Sequence, residues 1–118
     1  MKYESIQKLF SDKTRWTTKS TARNNRGTPV YADQKSAVCF CLLGAIYHVY
    51  GYSDRGHNWG ASSAGYEIIQ KVNRVLLKSF RSRIYSSSGD EVINISRFND
   101  DAMTTFEDVL SVVKAASV

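Results

Sequence analysis

The stretch that decides the fold is the apolar run Ala37-Val38-Cys39-Phe40-Cys41-Leu42-Leu43-Gly44-Ala45-Ile46-Tyr47-His48-Val49-Tyr50. No charged residue interrupts it, it is too long for one strand, and Gly51 closes it. The run therefore predicts a central helix over residues 34–50, with Asp33 as its N-cap. This predicted helix carries a stripe of small residues, which indicates a seam where another segment packs closely: Ala37, Cys41, Gly44 and Ala45.

The rest of the chain predicts a mainly α fold, with about four helices packed around the central one. Apolar residues at helical spacing indicate a first helix within residues 3–11 and a longer one over residues 63–81. Val92 to Ile95 form a brief apolar patch, either a short strand or a turn of helix. Thr104 and Glu107 fit a capping box at the start of a last helix.

The polar and basic segment before the central helix predicts a small β-hairpin or irregular arm near residues 17–31. Its turn signal is Asn24-Asn25-Arg26-Gly27, and we expect Trp16 to anchor the arm to the core. Several cations make it a basic arm: Lys13, Arg15, Lys19, Arg23 and Arg26.

Composition indicates one domain over residues 1–118, with 42% hydrophobic residues and a single proline. The first residues do not resemble a secretory signal, and the run at 37–50 is shorter than the roughly 20 residues that span a bilayer. Two cysteines do not make a disulfide framework. We therefore expect a cytoplasmic protein that is not inserted in a membrane. The net charge of +5 permits an acidic partner without requiring one.

Several short motifs follow one another along the chain in a distinctive order: Trp16-Thr17, Ala22-Arg23 with Gly27, then Ala37, Cys41, Gly44 and Ala45, and then Asn99-Asp100 and Val109. That order resembles an uncharacterised family of small proteins encoded by bacteria and their phages, and it extends over residues 16–116. Phe98 stands where that family usually places Trp. The resemblance implies a shared fold and brings no established activity.

The two cysteines raise the questions of catalysis and metal binding. Cys41 would be the nucleophile of a Cys-dependent enzyme, with His48 or His57 as its base. On the predicted helix, however, Cys41 lies two turns from the N-terminus, and His48 lies roughly 10 Å further along the axis. Cys39 and Cys41 would point about 200° apart, which disfavours a metal site formed with the two histidines. We predict no metal and no other cofactor.

Two regions are candidate binding surfaces. The outer face of the predicted 63–81 helix carries a basic stripe, which is typical of a solvated helix face and also of a nucleic-acid contact. The loop at 51–61 mixes polar, charged and aromatic side chains, as contact surfaces do. The candidate binding residues are Lys71, Arg74, Lys78 and Arg81 on the helix, and Arg55, His57 and Trp59 on the loop.

Asn99 and Asp100 are predicted to act structurally. Either Asp100 pairs with Arg23, or Asn99 and Asp100 tie down the turn before the last helix. Both forms would clamp the arm to the C-terminal helix. The full set of predicted structural residues is Trp16, Arg23, Gly27, Cys41, Gly44, Ala45, Asn99 and Asp100.

The leading functional expectation is a non-catalytic accessory protein that binds a host macromolecule, most plausibly a protein. If the chain is phage-encoded, it would act in the host cytoplasm. One role there would be to interfere with a host process such as defence. This expectation rests on kinship and size. A nucleic-acid-binding protein and a Cys41-dependent enzyme are the alternatives.

Overall fold

A computed structural model describes residues 3–50, 64–84 and 90–118 and gives five α-helices and a small sheet within them. Short 3-10 turns lie at Lys13–Arg15 and Arg81–Arg83. The mainly α fold with a small β arm is confirmed. The helices are α1 (Ile6–Leu9), α2 (Leu42–Tyr50), α3 (Ala64–Ser79), α4 (Glu91–Asp100) and α5 (Phe106–Ala116).

Helix α2 is the centre of the core. All of its residues except His48 and Tyr50 are buried, so it needs packing partners on every side. Helices α1, α3 and α4 supply them, and α5 packs on α3 and α1. In the part of the chain that the structure describes, no helix combines the length and hydrophobicity that a bilayer span requires.

The central helix begins at Leu42, not at residue 34 as predicted. The Val38 N–H donates to the Arg23 carbonyl at 2.9 Å, and Cys39 and Phe40 form a strand. These residues are β-branched, aromatic or small and apolar, so they suit a strand as well as a helix. Pairing with the arm decides between the two. Ahead of the strand, Asp33 lies in a turn and does not cap α2.

The predicted hairpin is present and gains a third strand. The strands are β1 (Ala22–Arg23), β2 (Pro29–Val30) and β3 (Cys39–Phe40). They are antiparallel in the order β2-β1-β3, so Ala22 lies opposite both Val30 and Phe40. The hairpin turn closes through a hydrogen bond from Gly27 N–H to the Asn24 carbonyl, with Gly27 at φ +80°.

The other helix boundaries also differ from the predictions. Thr105 and Asp108 form the capping box of α5, one residue later than Thr104 and Glu107. Helix α3 ends at Ser79, so Arg81 lies in the 3-10 turn that follows. The apolar patch at 92–95 belongs to α4, and the first helix shortens to α1.

Candidate functional site

Two adjoining surface depressions flank the segment that leads into α2. We call the larger one the His48 cleft; it has a volume of about 570 Å³. The smaller one, the Tyr31 pocket, has about 410 Å³. Both volumes fall in the range of ligand sites. The His48 cleft is lined by Tyr3, Arg15, Asp33, Gln34, Lys35, Ala37, Val38, Phe40 and His48, and the Tyr31 pocket by Ser20, Thr21, Pro29, Val30, Tyr31 and Gln34.

His48 is held in one orientation at the cleft. Its Nδ1 lies 3.1 Å from the Ala32 carbonyl oxygen. A carbonyl oxygen only accepts hydrogen bonds, so Nδ1 carries the proton. The Phe40 ring lies against the imidazole with centroids 4.4 Å apart, and the Tyr3 ring centroid is 6.2 Å away. These contacts leave Nε2 as the ring nitrogen available to a ligand.

Arg15 is held at the same cleft. One guanidinium nitrogen donates to the Leu9 carbonyl at 3.3 Å, and the guanidinium carbon lies 5.1 Å from the centre of the Tyr3 ring. Neither Arg15 nor Lys35 forms an ion pair with any carboxylate in residues 3–50, 64–84 and 90–118. Within those ranges, no carboxylate therefore lies at ion-pair distance from either cation of the cleft.

Tyr31 and Val38 are exposed apolar side chains at the two depressions. Tyr31 is 48% exposed and Val38 is 47% exposed. The Tyr31 N–H donates to the Gln34 side chain at 2.8 Å, and the Val38 N–H is bonded to β1. Their backbones are thus fixed before anything binds, which lowers the entropy cost of binding.

Asn99 joins the arm, α2 and α4 through a buried junction. Its Oδ1 accepts from the Trp16 indole at 2.7 Å and from the Leu42 N–H at 2.9 Å. Its Nδ2 donates to the Thr17 carbonyl and to Asp100 Oδ1, both at 3.1 Å. Asp100 Oδ1 also accepts from the Lys19 N–H at 2.8 Å. The amide of Asn99 thereby uses both lone pairs and both hydrogens, so it has no capacity left for a ligand.

Arg23 does not pair with Asp100, which corrects one form of the predicted clamp. Its guanidinium donates instead to Thr17 Oγ1 at 3.1 Å, the Thr18 carbonyl at 3.2 Å and the Gly27 carbonyl at 3.0 Å. Arg23 therefore holds the hairpin turn against the start of the arm. The prediction gave Arg23 an opposite charge as its partner, whereas a threonine hydroxyl and two backbone carbonyls of its own segment accept from its three nitrogens.

Cys41 is the N-cap of α2, not a residue two turns inside it. Its sulfur accepts the Gly44 N–H at 3.2 Å, and its carbonyl accepts the Ala45 N–H at 2.8 Å. The residue is only 6% exposed. Cys39 lies in β3, where its sulfur is 3.9 Å from the Arg23 carbonyl oxygen, so the two thiols have different partners. Within the described ranges, no group of three or more His, Cys, Asp or Glu side chains could hold a metal ion.

Gly44 is where the predicted seam forms. A Cβ at this position would overlap the Thr21 carbonyl oxygen, so only glycine lets the arm approach α2 this closely. The Cys41 N–H donates to the same oxygen at 3.1 Å. The arm is thus the segment that packs on Gly44. Ala37 lies before β3 and is not part of α2.

Trp16 and Asn99, which are joined at the junction, are among the residues on which the sequence resemblance rests. The model of a family of unknown function, DUF6197, matches residues 4–117. The chain belongs to the DUF6197 family. No curated protein and no solved structure matches it. In this DUF6197 chain, Trp16, Cys41, Gly44 and Asn99 meet where the arm, α2 and α4 join.

The predicted binding residues fall in two groups. Lys71, Arg74 and Lys78 are exposed on α3, and Arg81 is exposed just beyond it. Arg55, His57 and Trp59 lie outside the described residues. Helix α3 packs mainly on α4 and α5, whereas the strands contact one another, α2 and the Lys13–Arg15 turn. The basic stripe and the basic arm therefore belong to different packing units.

The sequence analysis did not identify the His48 cleft. Its residues come from Tyr3, the Lys13–Arg15 turn, the segment 33–40 and α2, and only the fold brings these together. One signal was visible: His48 is the one ionisable imidazole in an otherwise apolar helix. A continuous helix over residues 34–50, as predicted, contains no turn near 31–37, so the sequence relates His48 only to Cys41.

Proposed function

We propose that this chain is a non-catalytic accessory protein that acts by binding another protein. The partner docks on the surface formed by the His48 cleft and the Tyr31 pocket. We call it the 29–38 surface, because residues of the segment 29–38 line both depressions. The resemblance to bacterial and phage proteins suggests a host protein as partner, and a host process such as defence as the setting.

The exposed pair Tyr31 and Val38 carries this proposal. Four large hydrophobic side chains are exposed among the described residues. Two of them, Tyr31 and Val38, border adjoining depressions. The other two, Ile93 and Met103, line neither depression. Exposed aromatic and aliphatic side chains beside a concave surface are typical of protein interfaces.

A capture experiment with matched variants tests the proposal. The immobilised chain is exposed to lysate of a host bacterium, and retained proteins are compared between wild type and the Tyr31→Ser, Val38→Ser double variant. The Ile93→Ser, Met103→Ser double variant is the control, because it also removes two exposed apolar side chains, at positions that line neither depression. We expect wild type and control to retain the same protein and the 29–38 variant to lose it. Equal retention by both double variants would contradict the proposal.

Nucleic-acid binding is the second candidate. It is supported by the three cations Lys71, Arg74 and Lys78, which are exposed at helical spacing on α3. A gel shift at low salt tests it, with the triple Lys71→Gln, Arg74→Gln, Lys78→Gln variant as comparison. Absence of any shift with DNA or RNA at low salt would remove this candidate.

A further inference from the structure

We propose that the His48 cleft binds a carboxylate of the protein partner, either an Asp or Glu side chain or the carboxyl group at the end of a chain. The inference rests on the proposed function, because it names the chemical group by which the partner is recognised at the 29–38 surface.

The charges that line the cleft favour an anion. Arg15 and Lys35 contribute two positive charges, and Asp33 contributes one negative charge. Among the described lining residues, positive charges therefore exceed negative ones by one when His48 is neutral. Lys35 is exposed, and Arg15 is oriented by the Leu9 carbonyl and the Tyr3 ring. An oriented guanidinium is well suited to a planar carboxylate, which it binds through parallel hydrogen bonds.

The apolar part of the lining favours a carboxylate carried on a hydrocarbon stem. The side chains of Tyr3, Ala37, Val38 and Phe40 give the cleft an apolar wall. That wall accommodates the short hydrocarbon stem of an acidic residue.

His48 makes the binding depend on pH. Because Nδ1 is already protonated toward Ala32, a neutral His48 presents a lone pair at Nε2, which repels a carboxylate. Protonation turns Nε2 into a donor. The charged groups around this ring are Arg15, Lys35 and Asp33, and Tyr3 is the other titratable neighbour. A carboxylate should therefore bind more tightly when Nε2 of His48 is protonated, so affinity should be higher at about pH 6 than at about pH 8.

An NMR titration of the full isotope-labelled chain tests the inference. Four probes are added separately: N-acetylglutamate amide, N-acetylglycine, the uncharged N-acetylglutamine amide, and inorganic phosphate. We expect at least one carboxylate probe to shift the signals of Tyr3, Lys35 and His48, more strongly at about pH 6 than at about pH 8. A shift with N-acetylglutamate amide indicates a side-chain source, and a shift with N-acetylglycine indicates a chain end. Shifts with phosphate alone, or equal shifts with the uncharged probe, would overturn the inference.

Two variants separate recognition from folding. Lys35→Gln changes an exposed side chain and should weaken carboxylate binding about threefold to tenfold, whereas the control Lys71→Gln should leave it unchanged. His48→Asn can keep a donor near the position of Nδ1 but has no second nitrogen, so it should remove the pH dependence. Equal effects of the two lysine variants would contradict the inference.

The two proposals can fail separately. Carboxylate binding in the cleft without capture of a protein at Tyr31 and Val38 would defeat the proposed function alone. Capture at Tyr31 and Val38 without carboxylate binding would defeat this inference alone.

Discussion

Trp16 and Asn99 are joined by a hydrogen bond of 2.7 Å between the indole N–H and the side-chain carbonyl, across 83 positions of sequence. Asn99 is fully buried, and the same oxygen accepts the Leu42 N–H. The last turn of α4 thus fixes both the arm and the first turn of α2. Because the 29–38 surface extends from this arm, the junction holds the candidate site in place.

Replacing Asn99 with Asp should destabilise the protein by about 2–4 kcal/mol. The new oxygen would face the Thr17 carbonyl and the Asp100 carboxylate, where Nδ2 now donates to both. Urea denaturation followed by circular dichroism measures the free energy of unfolding. Asn25→Asp in the exposed hairpin turn is the control and should change it by less than about 0.5 kcal/mol. Equal losses in the two variants would show that the junction carries no special stability.

Replacing Gly44 with Ala should cost about 2–4 kcal/mol, because the added methyl overlaps the Thr21 carbonyl and must push the arm away from α2. Gly27→Ala is the comparison. Gly27 has φ +80° and open space around its Cα, so its substitution strains the backbone without a clash and should cost about 1 kcal/mol. Thermal unfolding of both variants ranks them. A smaller loss for Gly44→Ala than for Gly27→Ala would contradict the packing of the arm on α2.

The two thiols should differ in reactivity. Cys41 is buried and its sulfur accepts the Gly44 N–H, whereas Cys39 is partly exposed at the sheet. With iodoacetamide near neutral pH, we expect Cys39 to be modified first and Cys41 to react only at the rate of unfolding. Mass spectrometry of tryptic peptides reads out each site, with Cys39→Ser as the control. Fast labelling of Cys41 in the native protein would instead support the Cys-dependent alternative.

Protonation of Asp108 should lower the free energy of unfolding in acid. The Arg83 hydrogen bond at 2.8 Å, together with the Thr105 N–H, holds the pKa of the Asp108 carboxyl below its usual value. A carboxyl whose pKa is lowered by folding contributes stability above its unfolded pKa of about 3.9 and loses it as pH falls through the folded value. Asp108→Asn should therefore flatten the decline in unfolding free energy between about pH 5 and pH 2.

The control for that measurement is Asp90→Asn, since Asp90 precedes α4 and makes no side-chain cap bond. It should leave the slope in acid close to that of the wild type. An Asp108→Asn protein that loses stability with acid as steeply as the wild type would show that the Arg83 contact contributes little in solution.

The sequence predicted the helical class and the hairpin because both depend on local signals, namely apolar spacing at Val72 and Leu76 and the turn at Asn24 to Gly27. It placed the start of α2 wrongly because an apolar run suits a buried strand and a buried helix equally. Only the pairing of Cys39 and Phe40 with β1 shows that the strand ends at Phe40 and that the helix begins at Leu42. The His48 cleft could not be predicted for the same reason, since it joins Tyr3, Arg15 and His48 through tertiary packing.

The central claim is that a protein partner docks on the 29–38 surface. Photo-crosslinking with benzoylphenylalanine placed at position 38, and separately at position 93, in the producing host tests it most directly. Both native residues, Val38 and Ile93, are exposed, at 47% and 43%, so the two probes meet solvent to a similar extent. We predict a discrete protein adduct from position 38 and none from position 93. Equal adducts from both positions, or adducts only with nucleic acid, would contradict the claim.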